Sequence, residues 1–384
     1  MKSDIYFLIS IPKKMQKLLY ILFLFFSATL YSQTYVFLGS YNGDKNKPGI
    51  YVYELDTTSG ALEHVTEVKD VFNPSYLTLS LDGKFIYACT DTRVPKGGSI
   101  SSYAFNPKEK QLEFLNSQSS GGENPVYVSV HKEGKWLVGA NYNEGSISVF
   151  PLSDEGKVES ISQNLYFTEG SVNPKRQERS HPHSAVFAPD EEYVYFPDLG
   201  SDKIRSYKFE KDTKEPLEET ANTVKTVPGN GPRHFTFHPN GKFGYCIEEL
   251  SGTVTVYKYD AGNLKKIQMI KAHPENLTSN FESADIHISP DGKFLYASNR
   301  GEVNNIAIFG IAKDGTLKSV GYQSTMGNHP RTFAIDPSGN FLIVTNVKTS
   351  DVVVFKRNLK SGLLQQVGQN LKVKNVSCVQ IKSY

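Results

Sequence analysis

The sequence predicts an all-β chain folded as a seven-bladed β-propeller, on three observations. First, six segments share one pattern: "NPSYLTLSLDGKFIYACTD" from Asn73, "NPVYVSVHKEGKWLVGANY" from Asn124, "HPHSAVFAPDEEYVYFPDL" from His181, "GPRHFTFHPNGKFGYCIEE" from Gly231, "ESADIHISPDGKFLYASNR" from Glu282 and "HPRTFAIDPSGNFLIVTNV" from His329. They recur roughly every 50 residues, the spacing of propeller blades. Second, each reads as an alternating strand, a polar turn and a second β-rich strand. A third strand such as "GSISVFPL" or "GTVTVYKY" follows, then a fourth near a G-x-L signal. Third, residues 34–62 match the second to fourth strands of such a unit, and "NVSCVQIKSY" resembles a lone first strand. Joined, they make a further blade that closes the ring and leaves no open edge.

The first 33 residues have a different character. Lys13, Lys14 and Lys17 precede "LLYILFLFFSATLYSQ", an apolar run of secretory length that ends in small and polar residues. This predicts an export signal over residues 1–33, cleaved between Ser27 and Gln33, and a propeller over 34–384. An uncleaved membrane anchor is the competing reading, but the run is short for a spanning helix. The expected product is exported, periplasmic or secreted, with no stable membrane insertion after cleavage.

Charge is nearly balanced, 42 Lys and Arg against 40 Asp and Glu. Bulk electrostatics therefore give no reason to expect a nucleic-acid partner. The three cysteines, Cys89, Cys246 and Cys378, are spaced like neither a zinc site nor a disulfide framework, and each falls in a strand-like segment. They read as small buried hydrophobes. "NLTS" at Asn276 fits a glycosylation pattern but reads better as an ordinary polar loop.

The repeat also says where chemistry can sit. Residues entering the first strand of a blade and those leaving the second lie at the same end of the central channel, with the polar turns at the other. The third position of each segment reads Ser75, Val126, His183, Arg233, Ala284, Arg331 and, from the closing strand, Ser377. The residues leaving the second strand are Asp91, Tyr142, Leu199, Glu249, Arg300 and Val347, preceded by Thr90, Asn141, Asp198, Glu248, Asn299 and Asn346. Val126 and Leu199 show that the scaffold needs no ionisable group at these positions. One histidine, three arginines and Glu249 nevertheless occur there and should converge on one mouth. Solvated ion pairs are the bland reading. Several cations around one carboxylate point instead to a small anionic ligand, because arginine grips phosphate or carboxylate through paired donors.

His181 and His183 lie two apart on a strand, so both rings could reach one ion, with Asp91, Asp198 or Asp285 adding oxygen. No third His or Cys presents itself, and neither metal nor cofactor is expected. By register His183 takes the slot of Arg233 and Arg331, whereas His181 takes that of Asn73, Asn124 and His329, a loop-capping position. The chain has no G-x-S-x-G elbow, no H-E-x-x-H and no phosphate-binding glycine loop.

"NPSYLTLSLDGKFIY", "HPHSAVFAPD", "GNGPRHFTFHPNGKFGYCIEELSGTVTVY" and "SADIHISPDGKFLYASNRG" together resemble the lactonase family of seven-bladed propellers. That family includes bacterial propeller-type 6-phosphogluconolactonases and fungal carboxymuconate cyclases. The resemblance covers residues 34–384 and implies hydrolysis of a sugar lactone. It carries the family's His, Arg, Glu and Arg set onto His183, Arg233, Glu249 and Arg300. Where the family often has Asn, this chain has Glu248, a second carboxylate expected to raise the pKa of its neighbour.

The expected activity is therefore opening of 6-phosphogluconolactone or a related aldonolactone. His183 or Glu249 would serve as general base, with Arg233 and Arg300 at the developing oxyanion. Arg331, Asn299, His329 and Asp285 are expected to contact the substrate. Two rivals stand beside it: a non-catalytic ring that binds an extracellular glycan or protein, and a muconate-lactonising cyclase. The oligomeric state is not legible from the sequence.

Overall fold

A computed structural model describes residues 33–90 and 97–384. The leader assigned to residues 1–33 lies, except for Gln33, outside the described residues, as does Asp91. The described strands form seven sheets, one per blade: after the composite blade 1 come blade 2 (76–119), blade 3 (125–166), blade 4 (186–225), blade 5 (232–271), blade 6 (283–324) and blade 7 (330–372). Blade 1 is the composite: Val376–Ser383 pairs with Thr34–Ser40, which pairs with Ile50–Leu55 and then Leu62–Val68. Blade 5 shows the regular unit, Pro232–Phe237, Phe243–Glu248, Thr253–Asp260 and Asn263–Lys271, each strand antiparallel to the next. Blade 4 is the irregular one. Its first strand is reduced to Val186–Phe187, and two short strands, Leu217–Glu219 and Val224–Lys225, pair with the third.

Burial follows the position of a strand in its blade. Outer strands such as Asn263–Lys271 present Lys265 and Lys266 to solvent, whereas the second and third strands of each blade are buried on both faces. The core is accordingly a ring of layers between blades. Tyr245, Ile247 and Val256 of blade 5 pack on Leu295, Ala297 and Phe309 of blade 6, and equivalent layers join the other neighbours. Cys89, Cys246 and Cys378 are free thiols within these layers.

The G-x-L signal marks a latch between blades. Tyr195, Tyr245 and Tyr296, each on a second strand, donate their hydroxyls to the carbonyls of Gly262, Gly315 and Gly362 in the following blade, at 2.7, 2.9 and 2.8 Å. Those glycines turn the third strand into the fourth with φ of 85°, 84° and 76°. Each presses its bare Cα on an aromatic ring of the preceding blade, where a Cβ would lie 2.4 Å from Tyr193, 2.3 Å from Phe243 or 2.4 Å from Phe294.

Gly315→Ala therefore meets both a left-handed backbone and a ring with no room to move. It is expected to cost about 2–4 kcal/mol, read as a lower urea midpoint at an unchanged m-value. Tyr245→Phe, which leaves one buried carbonyl unsatisfied, should cost about 1–3 kcal/mol in the same titration.

Candidate active site

A distortion repeated around the channel builds the site. In blade 5 the register runs Pro232↔Glu248 and then His234↔Ile247, so Arg233 has no residue opposite it. The same bulge isolates Val126 in blade 3, Arg331 in blade 7 and Ser377 in blade 1, and it spans Ala284 and Asp285 in blade 6. Blade 4 gains its extra residue between the Pro182↔Asp198 bridge and the Val186↔Tyr195 pair, the stretch that holds His183. A bulge re-aims the extra side chain. Here it acts on the third position of the repeat, the position the sequence singled out. The residue two before it caps the turn in left-handed conformation at Asn73, Asn124, His329 and Asn375, with φ of 45°, 56°, 67° and 51°.

At this end of the channel a cavity of about 470 Å³ opens, lined by His183, Glu249, Arg300 and Arg331 together with Tyr41, Tyr142 and Arg176. Glu249 is the electrostatic centre. Its Oε2 lies 2.9 Å from Arg233 Nε and 3.0 Å from Arg300 Nη2, and its Oε1 lies 2.5 Å from Arg176 Nη2. The Arg233 Nε contact is an ion pair without hydrogen-bond alignment; that side chain donates instead from Nη1 to the Ala284 carbonyl at 2.6 Å. Burial alone would raise the pKa of Glu249, but Arg300, Arg233 and Arg176 outweigh it and hold the carboxyl at about 2.

Glu248 does not have the expected effect. Consecutive strand residues face opposite sides, so its carboxylate turns from the cavity to accept from Asn230 Nδ2 and Thr253 Oγ1, both at 2.6 Å. Burial raises the pKa of Glu248 itself, while that of Glu249 falls.

His183 is buried, and its Nδ1 has no hydrogen-bond partner. Burial, then Arg233, His234 and Arg331, push its pKa well down, so the ring is neutral. His181 is used structurally: Nδ1 meets the Tyr142 carbonyl at 2.7 Å, Nε2 meets Glu178 at 3.0 Å, and the ring stacks on Tyr142. The two histidines therefore do not share a metal site, and the described residues hold no group of three or more His, Cys, Asp or Glu suited to one. Arg331 forms no ion pair with another described residue; its guanidinium lies 5.4 Å from the Tyr41 ring.

Three expected substrate contacts are placed differently. Asn299 is buried and bound to the Ala272 carbonyl, Asn305 and Ser283, so it braces a loop as Asn141 and Asn346 do in their blades. Asp285 sits below the cavity, bonded to His234 Nδ1 at 2.7 Å and His287 Nε2 at 3.0 Å. His329 does not line the cavity; its Nε2 lies 3.5 Å from Arg300 Nη1, and burial with Arg300 and Arg331 pushes its pKa down to about 3. The residue that the repeat pattern misses is Arg176, in the connection between blades 3 and 4. Its one sequence signal is that the interval from Asn124 to His181 is the longest between consecutive segments.

Glu249→Gln should destabilise the fold by about 3–5 kcal/mol, because it leaves buried guanidinium charge unmatched. The folded pKa of Glu249 lies below its ordinary 4.5. The stability it contributes is therefore complete above that value and is lost as pH falls toward about 2. The gap between wild type and Glu249→Gln in urea midpoint should accordingly narrow over that range. A gap independent of pH would contradict the ion-pair geometry.

A family model described as "Lactonase, 7-bladed beta-propeller" matches residues 35–381. The chain is 40% identical over 352 residues to a 6-phosphogluconolactonase of Formosa agariphila, covering 91% of this chain and 99% of that protein. It is 33% identical to the 6-phosphogluconolactonase of Bacillus subtilis, covering 90% and 97%. Among solved structures, the periplasmic gluconolactonase of Pseudomonas aeruginosa superposes with a TM-score of 0.85 at 31% identity, covering 91% of this chain and 99% of that one. With its seven sheets and its cavity at the bulged end of the channel, this chain belongs to the lactonase family of seven-bladed β-propellers.

Proposed function

We propose that the protein hydrolyses the ester of a sugar lactone, with the cavity at the bulged end of the channel as its active site. The observation that carries this reading is a neutral buried histidine at one cavity with Arg176 and Arg300, both fixed by the Glu249 carboxylate, while the buried Arg233 backs that carboxylate from behind the lining. His183 acts as the general base. Glu249, with both oxygens engaged and a pKa of about 2, organises the arginines and does not accept the proton. A water oxygen bonds to the ring carbonyl carbon while His183 takes a proton from that water. The carbonyl oxygen becomes an oxyanion facing Arg300 and Arg176. Collapse breaks the bond to the ring oxygen, and the departing alkoxide takes the proton back from His183, giving the open hydroxy acid. An anionic substituent on the substrate is held by Arg331, which has no carboxylate of its own among the described residues. Its negative charge also offsets the cations that depress the His183 pKa, moving the base toward its working range.

The leader-like first 33 residues and the likeness to a periplasmic gluconolactonase support an exported enzyme. In that compartment an unphosphorylated aldonolactone or a uronic lactone is the natural substrate, because 6-phosphogluconolactone arises inside the cell.

A pH-indicator assay over gluconolactone, 6-phosphogluconolactone and a uronic lactone is the test, since opening releases a proton. At least one should open far faster than its spontaneous rate; none doing so would overturn the reading in favour of a binding ring. His183→Gln should lower kcat by about 10²- to 10⁴-fold. Arg331→Ala should raise KM for the anionic lactones while leaving that for neutral gluconolactone nearly unchanged.

A further inference from the structure

Below the ring of third-position residues lies a second ring formed by the fourth positions, among them Ser184, His234 and Asp285. Asp285 is buried and fully committed. Its Oδ1 accepts from His234 Nδ1 at 2.7 Å and from the Ile286 N–H at 3.0 Å. Its Oδ2 accepts from His287 Nε2 at 3.0 Å and from the Phe333 N–H at 3.1 Å. A carboxylate can only accept, so Nδ1 of His234 must carry hydrogen. His234 is kept neutral by burial and Arg233, so its Nε2 presents a bare lone pair. That Nε2 is fully enclosed and has no partner. Two further enclosed atoms without partners belong to the adjacent blade: Nδ1 of His183, whose ring centroid is 5.2 Å from that of His234, and Oγ of Ser184. Buried polar atoms are almost always satisfied. These three make no hydrogen bond to one another, and one buried water shared between them supplies the missing partners.

We propose that Asp285 and His234 act as positioning residues that set the tautomer of His183. The lone pair of His234 Nε2 draws the hydrogen of His183 onto Nδ1 through one bridging water, and leaves Nε2 of His183 bare toward the cavity. That is the form a general base requires. The groups packed around His183 are Tyr142, Arg233, His234 and Arg331, and those around His234 are Tyr76, Tyr127, Arg233 and Asp285. The kinetic part of this proposal rests on the lactonase reading, but the tautomer can be observed without any substrate.

The experiment is long-range 1H–15N NMR on the full chain labelled at histidine nitrogen, with the His183 and His234 signals identified by their loss in His183→Gln and His234→Gln. Near neutral pH both residues should show a protonated Nδ1 and a bare Nε2. In Asp285→Asn the His183 ring should become a mixture of tautomers. A wild-type His183 protonated at Nε2 would overturn the proposal, as would an unchanged tautomer in a folded Asp285→Asn. If that variant does not fold, His234→Phe, which keeps the ring volume, takes its place under the same criterion. In turnover, His234→Phe should lower kcat roughly 10- to 100-fold, leave KM nearly constant and shift the kcat–pH profile. His287→Gln, which can still donate to Asp285, should do none of these. A wild type that opens no lactone would sink the functional reading and leave the tautomer result standing.

Discussion

The organisation of the site depends on one buried carboxylate. Glu249 leaves the second strand of blade 5 and gathers Arg233 from its own blade, Arg300 from blade 6 and Arg176 from the connection before blade 4. Without a shared anion these guanidinium groups would repel one another, most strongly Arg233 and Arg300, whose burial limits screening by water. With it they form a fixed array whose outer members, Arg176 and Arg300, face the cavity. Preorganisation of this kind costs nothing when charge develops on a substrate.

Two features of the scaffold make the array possible. In six of the seven blades a bulge turns the third-position residue toward the channel mouth, so functional groups are added by substitution at a standard position without disturbing the sheets. The latch between tyrosine hydroxyls and turn glycines holds neighbouring blades in register at the opposite ends of their strands. Chemistry and cohesion therefore occupy different positions of the same repeat.

This separation explains what the sequence revealed and what it hid. The blade count and the ring closure were legible because each rests on a pattern repeated along the chain. His183, Glu249, Arg300 and Arg331 were legible because they break that pattern at positions the topology brings to one cavity. Arg176 was hidden because it lies in a connection with no counterpart in other blades. Asn299 and Asp285 were assigned to the substrate by their nearness in sequence to Arg300 and to the third position of the repeat, which does not reveal which way each side chain turns. In the structure one residue braces a loop and the other sits a layer lower. The expected influence of Glu248 on Glu249 failed for a related reason: neighbours in sequence on a strand lie on opposite faces.

The closing blade has a consequence for how the chain reaches this state. Thr34 and Ser383 meet across a separation of 349 residues, and Ser377, in the same late strand, supplies one wall of the channel through its bond to the Ser75 carbonyl. Contacts this distant in sequence carry a large loop-closure cost and slow folding. Until Val376–Ser383 arrives, the blades can stack but the strand Thr34–Ser40 keeps an unpaired edge and the channel remains open on one side. Ring closure and completion of the channel wall therefore rest on the same strand.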